Sequence, residues 1–150
     1  MSRLDNIPVR VEVHQTQASK PNILEQVLQE IHLGLTDLHA SGITHAIDLR
    51  QLPRMSAAVY QALREALAQG EVSAVVQAQV KVEVQETQFP GVWWLRHFNE
   101  RDEITTEIIE ITVMPTILKP HRMDLLAGLQ KLEERLRMGA SPTESMAAPA

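Results

Sequence analysis

A strict two-residue alternation runs from Val72 to Val84 and constrains the fold more than any other feature of this sequence. Valine or alanine occupies every second position, and no glycine or proline interrupts the series. Successive side chains of a strand point to opposite faces, so this period places all of these residues on one face. We expect either one long bent strand or two strands joined by a bend that the sequence does not mark.

The stretch from Glu86 to Glu100 follows, and it holds both tryptophans and both phenylalanines of a chain that is only 3% aromatic. Residues 89–92 have the sequence Phe-Pro-Gly-Val, which suits a type II turn. Proline presets the second position of such a turn, and glycine supplies the positive φ of the third. We predict further strands over residues 92–99 and 105–113, separated by a polar loop.

Three stretches have helical periodicity. The first begins at Asn22, a good N-cap, and ends at Gly42; the second begins at Ser56 and ends at Gly70. The last covers residues 122–138 and carries a narrow leucine stripe close to a heptad seam, formed by Leu125, Leu129, Leu132 and Leu136. A short strand over residues 46–50 is predicted between the first two helices.

Together these elements predict an α+β domain, in which an antiparallel β-sheet has about three α-helices packed mainly on one face. A chain of 150 residues can bury a sizeable core within one domain. We expect a single domain over residues 1–138. Residues 1–21 are predicted to be a loose arm or an edge strand, and residues 139–150 a disordered tail.

Composition excludes several classes of function. The formal net charge is −5 and no run of lysine and arginine is present, so we expect no nucleic-acid binding. The chain has no cysteine, which excludes disulfides, iron–sulfur ligation and thiol catalysis by its own residues. No apolar run approaches membrane-spanning length and no signal-peptide core is present, so we expect a cytoplasmic protein without membrane insertion.

Both faces of the predicted sheet are about half apolar, whereas a sheet with one solvated face alternates cleanly between apolar and polar positions. With the turn centred on Pro90 and Gly91, Arg96 lies opposite Gln85 and Glu107, and we predict an Arg96–Glu107 ion pair. We therefore expect a partner to cover one face. The candidate partner-binding residues are Trp93, Trp94, Arg96, Phe98, Glu107 and Ile109.

A second set of polar residues falls on the face that carries Trp93. Glu86, His97 and Glu110 form a candidate polar cluster, which suits general acid–base chemistry or a structural hydrogen-bonded group. No nucleophile, glycine-rich loop or metal-ligand pattern lies nearby, so the structural interpretation is favoured. His32 and His39 are two helical turns apart, roughly 10 Å, which is too far to bind one metal ion. We predict no metal site and no cofactor.

An ordered set of short motifs resembles the conserved C-terminal region of the HupH/HyaF hydrogenase expression/formation proteins. The resemblance spans roughly residues 22–136 and rests on the segments Ile47–Pro53, Gly70–Val72, Glu86–Thr87, Phe89–Trp94 and Ile109–Glu110 before Pro115. It implies a chaperone-like accessory protein for maturation of nickel–iron uptake hydrogenase, acting on the iron–sulfur small subunit before its export. Its partners would be that subunit or other hydrogenase accessory proteins. The resemblance carries over no catalytic residue, and the absence of cysteine suits a protein that protects a cluster-bearing client.

Two other functions stay open from the sequence. One is a small enzyme that uses Glu86 and His97, and a deep pocket around that pair would support it. The other is a homodimeric interaction module with a different client. Whichever of these functions is correct, we predict a homodimer, formed through the sheet face or through the leucine stripe. The sheet face is the favoured contact because the stripe can dock on its own domain.

Overall fold

A computed structural model describes residues 22–139 and shows one antiparallel sheet with three α-helices. In chain order the elements are α1 (Ile23–Ser41), β1 (His45–Asp48), α2 (Ala57–Leu67), β2 (Ser73–Gln77), β3 (Lys81–Glu86), β4 (Val92–Phe98), β5 (Ile104–Ile111), a 3-10 helix (Thr116–Leu118) and α3 (Arg122–Gly139). The five strands are ordered β1-β5-β4-β3-β2. The predicted α+β class is confirmed. The predicted N-terminal arm, and the predicted tail from residue 140 onward, lie outside the described residues.

The first helix begins and ends where the sequence predicts. The Asn22 side chain accepts a hydrogen bond from the Glu25 backbone N–H at 2.8 Å. Gly42 has a φ of 69°, and its N–H donates to the Leu38 carbonyl. Ser56 caps α2 in the same way, by accepting from the Val59 N–H at 3.2 Å. These short polar caps are local signals, so the sequence alone identifies them.

Gly70 does not end the second helix, which is a correction to the prediction. The helix ends at Leu67, and Ala68 follows with a φ of 47° while its N–H donates to the Arg64 carbonyl. Gly70 instead lies against the backbone of the strand connection, where an added Cβ would be 2.3 Å from the Thr87 carbonyl oxygen. The position therefore requires glycine because of close backbone packing.

The long alternation folds as two strands, the second of the two alternatives. β2 and β3 pair as a hairpin in which Ala74 lies opposite Val84 and Val76 opposite Val82. The Phe89–Val92 turn also forms as predicted, since Gly91 has a φ of 88° and the Val92 N–H donates to the Phe89 carbonyl at 3.0 Å.

The predicted register of β4 is right against β5 and wrong against β3. Arg96 lies opposite Glu107 in β5, as expected, but opposite Glu83 in β3 and not Gln85. The reason is that the Thr87 N–H donates to the Val92 carbonyl, which closes a four-residue loop in place of a tight turn. A shift of two residues keeps every side chain on its predicted face.

Both faces of the sheet are apolar, as predicted, and each has its own core. On one face α1 and α2 cover a cluster that includes Ile31, Leu63 and Ile109. On the other face the central side chains are 1% to 3% exposed, namely Val82, Val84, Trp93 and Leu95, and Leu118 packs against them. The centre of this second face is therefore already buried in the single chain.

The third helix differs from the prediction of three helices packed mainly on one face. No residue of α3 is buried, so two helices cover the sheet and the third presents its leucine stripe to solvent.

Candidate partner-binding site

A surface groove lies where β5 extends past β1. β1 pairs with β5 only as far as Asp48 opposite Ile108, so the first residues of β5 have no neighbour on that side. The chain then crosses from Leu49 to the start of α2 and leaves a groove of about 760 Å³. We call this the Arg50 groove; its lining comprises Leu49, Arg50, Leu52, Arg54, Met55, Ser56, Ala57, Tyr60, Gln61, Ile104, Thr105, Thr106 and Glu107.

A turn at Asp48 holds Arg50 across this open strand end. The Asp48 carboxylate accepts from the Arg50 backbone N–H at 2.9 Å, and the Arg50 guanidinium donates to the Thr105 carbonyl at 3.1 Å. The backbone N–H of Arg50, and then its side chain, hold the pKa of Asp48 below its usual value. Arg50 therefore occupies the place that a further β1 residue would take.

Tyr60 and Glu107 form the inner wall of the groove, and Trp94 lies behind them in the same hydrogen-bonded group. The Tyr60 hydroxyl donates to both carboxylate oxygens of Glu107, at 2.9 and 2.7 Å, and the Trp94 Nε1–H donates to one of them at 2.8 Å. The Tyr60 and Trp94 rings meet edge to face with centroids 5.8 Å apart. Burial, and then the Glu107 carboxylate, raise the pKa of Tyr60. This group joins α2 to the centre of the sheet.

The outer part of the groove combines apolar and cationic side chains. Ile104 is 45% exposed there. Arg54 has no ion-pair or hydrogen-bond partner among residues 22–139. Glu107 keeps its negative charge while it accepts hydrogen bonds from Tyr60 and Trp94, and Arg54 adds a separate positive charge at the rim. Such a groove suits a peptide segment with apolar side chains and a carboxylate.

Four of the six residues predicted to contact a partner lie in the interior. Ile109 is 0% exposed, Trp93 3%, and Trp94 and Phe98 are each 8% exposed. The helices cover Trp94 and Ile109, while the Trp93 indole N–H donates to the Thr112 carbonyl at 3.0 Å. Trp94 belongs to the core under the helices, and Trp93 belongs to the core on the other face. Only small parts of these four side chains remain exposed to a partner.

The predicted ion pair between Arg96 and Glu107 does not form, although the two residues lie opposite each other. Arg96 pairs with Glu83 on β3 at 2.5 Å, and Lys81 connects Glu83 to Asp102. The register shift supplies the new partner for Arg96, and Glu107 is occupied by Tyr60 and Trp94. The Arg96 side chain is 26% exposed, so it remains at the surface of this face.

The predicted polar cluster is spread over the second face. Glu86 and Glu110 lie on either side of Trp93, whereas His97 lies farther along β4, opposite Val82 and Thr106. Among residues 22–139 no hydrogen bond joins the three side chains, and the His97 Nδ1 is buried without a hydrogen-bond partner. Burial raises the pKa of Glu110, and the charge of His97 opposes that shift.

A deep pocket around Glu86 and His97 would support the enzyme interpretation. His97 lines a small pocket with Phe98, Thr106 and Ile108, and neither glutamate takes part in that lining. Within the described range, no group of three or more histidine, aspartate or glutamate side chains is placed to hold a metal ion.

Sequence reasoning identified Glu107 but missed the groove beside it. In the sequence, the segment Ile47–Pro53 indicates a short strand and a family resemblance, yet its Arg50 and Leu52 line this groove and its Asp48 holds Arg50 in place. Sequence reasoning also missed Tyr60. The available signal was that Tyr60 is the only tyrosine in a chain poor in aromatic residues.

Comparisons with known proteins agree with the resemblance seen in the sequence. Residues 24–138 match the family described as "HupH hydrogenase expression protein, C-terminal conserved region". The chain is 29% identical over 96 residues to hydrogenase expression/formation protein HupQ of Azotobacter chroococcum mcd 1, which is 64% of this chain and 34% of that protein. It is 27% identical over 90 residues to hydrogenase expression/formation protein HoxQ of Azotobacter vinelandii, which is 60% of this chain and 31% of that protein. The chain thus spans about a third of the length of these two relatives.

A solved structure is similar as well. Hydrogenase expression protein HupH from Thiobacillus denitrificans ATCC 25259 aligns with a TM-score of 0.72 and 34% identity, over 76% of this chain and 94% of that chain. In the part of the chain that the structure describes, no helix is both long enough and apolar enough to cross a membrane.

Proposed function

Because the chain belongs to the HupH hydrogenase expression protein family, through the C-terminal conserved region of that family, we propose that it is an accessory protein in hydrogenase maturation. The observation that carries this proposal is the match over residues 24–138. It covers the whole sheet and, except for Ile23 and Gly139, the three α-helices of the described range. The named relatives are hydrogenase expression or formation proteins, and this supports the proposal.

The proposed client is the iron–sulfur small subunit of a nickel–iron uptake hydrogenase, bound in the cytoplasm before export. The proposed action is that of a chaperone, without a chemical step. A chain without cysteine has no thiolate with which to compete for the cluster of its client. We also propose that the protein works as a homodimer.

The Arg50 groove is the proposed binding site for the client. Its apolar floor and the Arg54 guanidinium, which has no partner among residues 22–139, suit a segment that carries apolar side chains and a carboxylate. Arg96 lies on the same face of the sheet, on the other side of Trp94, and is proposed as an outer contact. Interfaces combine an apolar centre with a polar rim, and arginine is enriched in them.

Co-purification from cells that make the hydrogenase small subunit tests this proposal. The tagged chain should retain the small subunit. Arg54→Glu should weaken binding at least tenfold, because it places a like charge against the carboxylate of the client. Lys119→Glu is the matched control, since it makes the same change of charge at an exposed position outside the groove.

Two outcomes would contradict different parts of the proposal. Failure of the wild-type chain to retain the small subunit contradicts the proposed client, and retention of an unrelated protein would favour the alternative of a different client. Retention that is equal for wild type and Arg54→Glu contradicts the groove as the binding site.

A further inference from the structure

Of the three α-helices in the described range, α3 is the one whose apolar side chains have no docking surface. None of its residues is buried, whereas α1 buries Val27 and Ile31 and α2 buries Leu63 and Leu67. Seven large apolar side chains of α3 are 45% to 69% exposed: Met123, Leu125, Leu126, Leu129, Leu132, Leu136 and Met138. An apolar stripe left in water on an otherwise charged helix is typical of an interaction surface.

We propose that α3 pairs with α3 of a second copy of this chain, as an antiparallel two-helix seam. The proposal identifies the contact of the homodimer proposed above. It rests on that proposed dimer and is independent of the hydrogenase client.

The spacing of the leucines fits this arrangement. Leu125, Leu129, Leu132 and Leu136 follow steps of four, three and four residues, which keep one narrow stripe facing a neighbouring helix. In an antiparallel pair Leu125 lies opposite the partner's Leu136, and Leu129 lies opposite the partner's Leu132. The two-fold axis repeats both contacts, so every leucine of the stripe meets a leucine over a helix of 18 residues, about 27 Å long.

The charged side chains beside the stripe favour a second copy that lies antiparallel to the first. Gly128 and Arg135 are seven residues apart and lie on one flank, with Asp124 one turn before Gly128. Antiparallel pairing brings Arg135 beside the partner's Gly128 and within reach of the partner's Asp124. A Cβ at Gly128 has nothing within 4 Å, so there is room for the arginine.

This charge complementarity would be lost in a parallel pair. Neither Asp124 nor Arg135 has an ion-pair partner among residues 22–139. A parallel pair would place each of these residues level with its own copy. In an antiparallel pair the attraction between Asp124 and Arg135 forms twice. The two helix dipoles also point in opposite directions, which is favourable.

The sheet face, which the sequence favoured as the dimer contact, is closed to a second copy. Trp94 is 8% exposed beneath Tyr60 and Arg64, whose guanidinium lies 5.5 Å from the indole ring centroid. Trp93 on the opposite face is 3% exposed. Of the two contacts considered for the dimer, the leucine stripe is therefore the one that still has apolar area to bury.

Sedimentation velocity of the full chain tests the proposal. A two-helix seam is at the low end of specific interfaces, below about 1,200 Å², so we expect a dimer that dissociates with a micromolar Kd. Leu132→Glu places a carboxylate in the seam and should weaken the dimer at least tenfold. Gln130→Glu adds the same charge on the outward face of the helix and should leave Kd unchanged.

A charge exchange tests the orientation. Asp124→Arg and Arg135→Asp should each weaken the dimer about three- to tenfold, and the double variant should recover most of the loss. A wild-type chain that stays monomeric at every concentration overturns the proposal, as does a Leu132→Glu variant that dimerises normally. Failure of the double variant to recover affinity overturns the antiparallel arrangement. None of these results depends on whether hydrogenase small subunit is the client.

Discussion

The hydroxyl of Tyr60 donates to both carboxylate oxygens of Glu107, from a helix to a strand 47 residues away along the chain. The Trp94 indole N–H donates to the same carboxylate. One acceptor group therefore satisfies two aromatic donors between α2 and the sheet, where an unpaired polar group would be costly. The contact also forms the inner wall of the Arg50 groove, so it connects the stability of the domain to the shape of its proposed binding site.

Tyr60→Phe should lower the free energy of unfolding by about 1–2 kcal/mol. The ring and its edge-to-face contact with Trp94 are kept, and only the hydrogen bond to a charged acceptor is lost. Urea unfolding followed by tryptophan fluorescence measures the difference. Glu107→Ala should cost more, about 3 kcal/mol, because it leaves both aromatic donors without their acceptor. A Tyr60→Phe variant as stable as the wild type would contradict the account of this contact.

Gly70→Ala should be more damaging than Gly42→Ala. A Cβ at Gly70 would lie 2.3 Å from the Thr87 carbonyl oxygen, so the backbone must move and we expect a loss of about 3 kcal/mol. Gly42 has open space around it but a φ of 69°, so alanine there meets only the left-handed backbone penalty, about 1 kcal/mol. Thermal and urea unfolding of both variants compare the two. Equal losses would show that close packing against Thr87 is unimportant.

How much of this molecule follows from its sequence depends on how local each signal is. The helix caps at Asn22 and Ser56, the turn at Gly91 and the Arg96–Glu107 register depend on nearby residues, and all were predicted. The β3–β4 register was missed because the Thr87–Val92 hydrogen bond, which lengthens the loop, has no distinct sequence mark.

The groove and the free third helix were missed for a different reason. Leu49 and Arg54 meet Ile104 only after the sheet has formed, and no periodicity links segments so far apart. The leucine stripe of α3 was visible in the sequence. A stripe indicates that a helix packs against another surface, and only the fold shows that residues 22–139 do not provide that surface.

Glu110 should make stability depend on pH in a defined direction. Burial raises its pKa above the ordinary 4.5, so the native state holds this proton more tightly than the unfolded state does. The stability that this tighter proton binding gives the native state is fully present below about pH 4.5, and it is lost as pH rises through the raised pKa. Glu110→Gln should therefore match the wild type near pH 4 and be more stable at pH 7. A stability difference that does not change between these pH values would contradict this assignment.

The purified protein should hold no stoichiometric transition metal. The chain has no cysteine, and its described residues do not bring three potential ligands together. Elemental analysis after dialysis against a weak chelator measures this. One tightly bound ion per chain that disappears in His97→Ala would contradict the interpretation of the Glu86, His97 and Glu110 positions as structural.

Hydrogenase maturation in a strain that lacks this gene is the most direct test of the central claim. The measurement is hydrogen-dependent dye reduction, together with the amount of small subunit that is exported. We expect both to fall when the gene is deleted, and to recover with the wild-type chain and with Lys119→Glu but not with Arg54→Glu. Normal hydrogenase activity and normal export of the small subunit in the deletion strain would contradict the account.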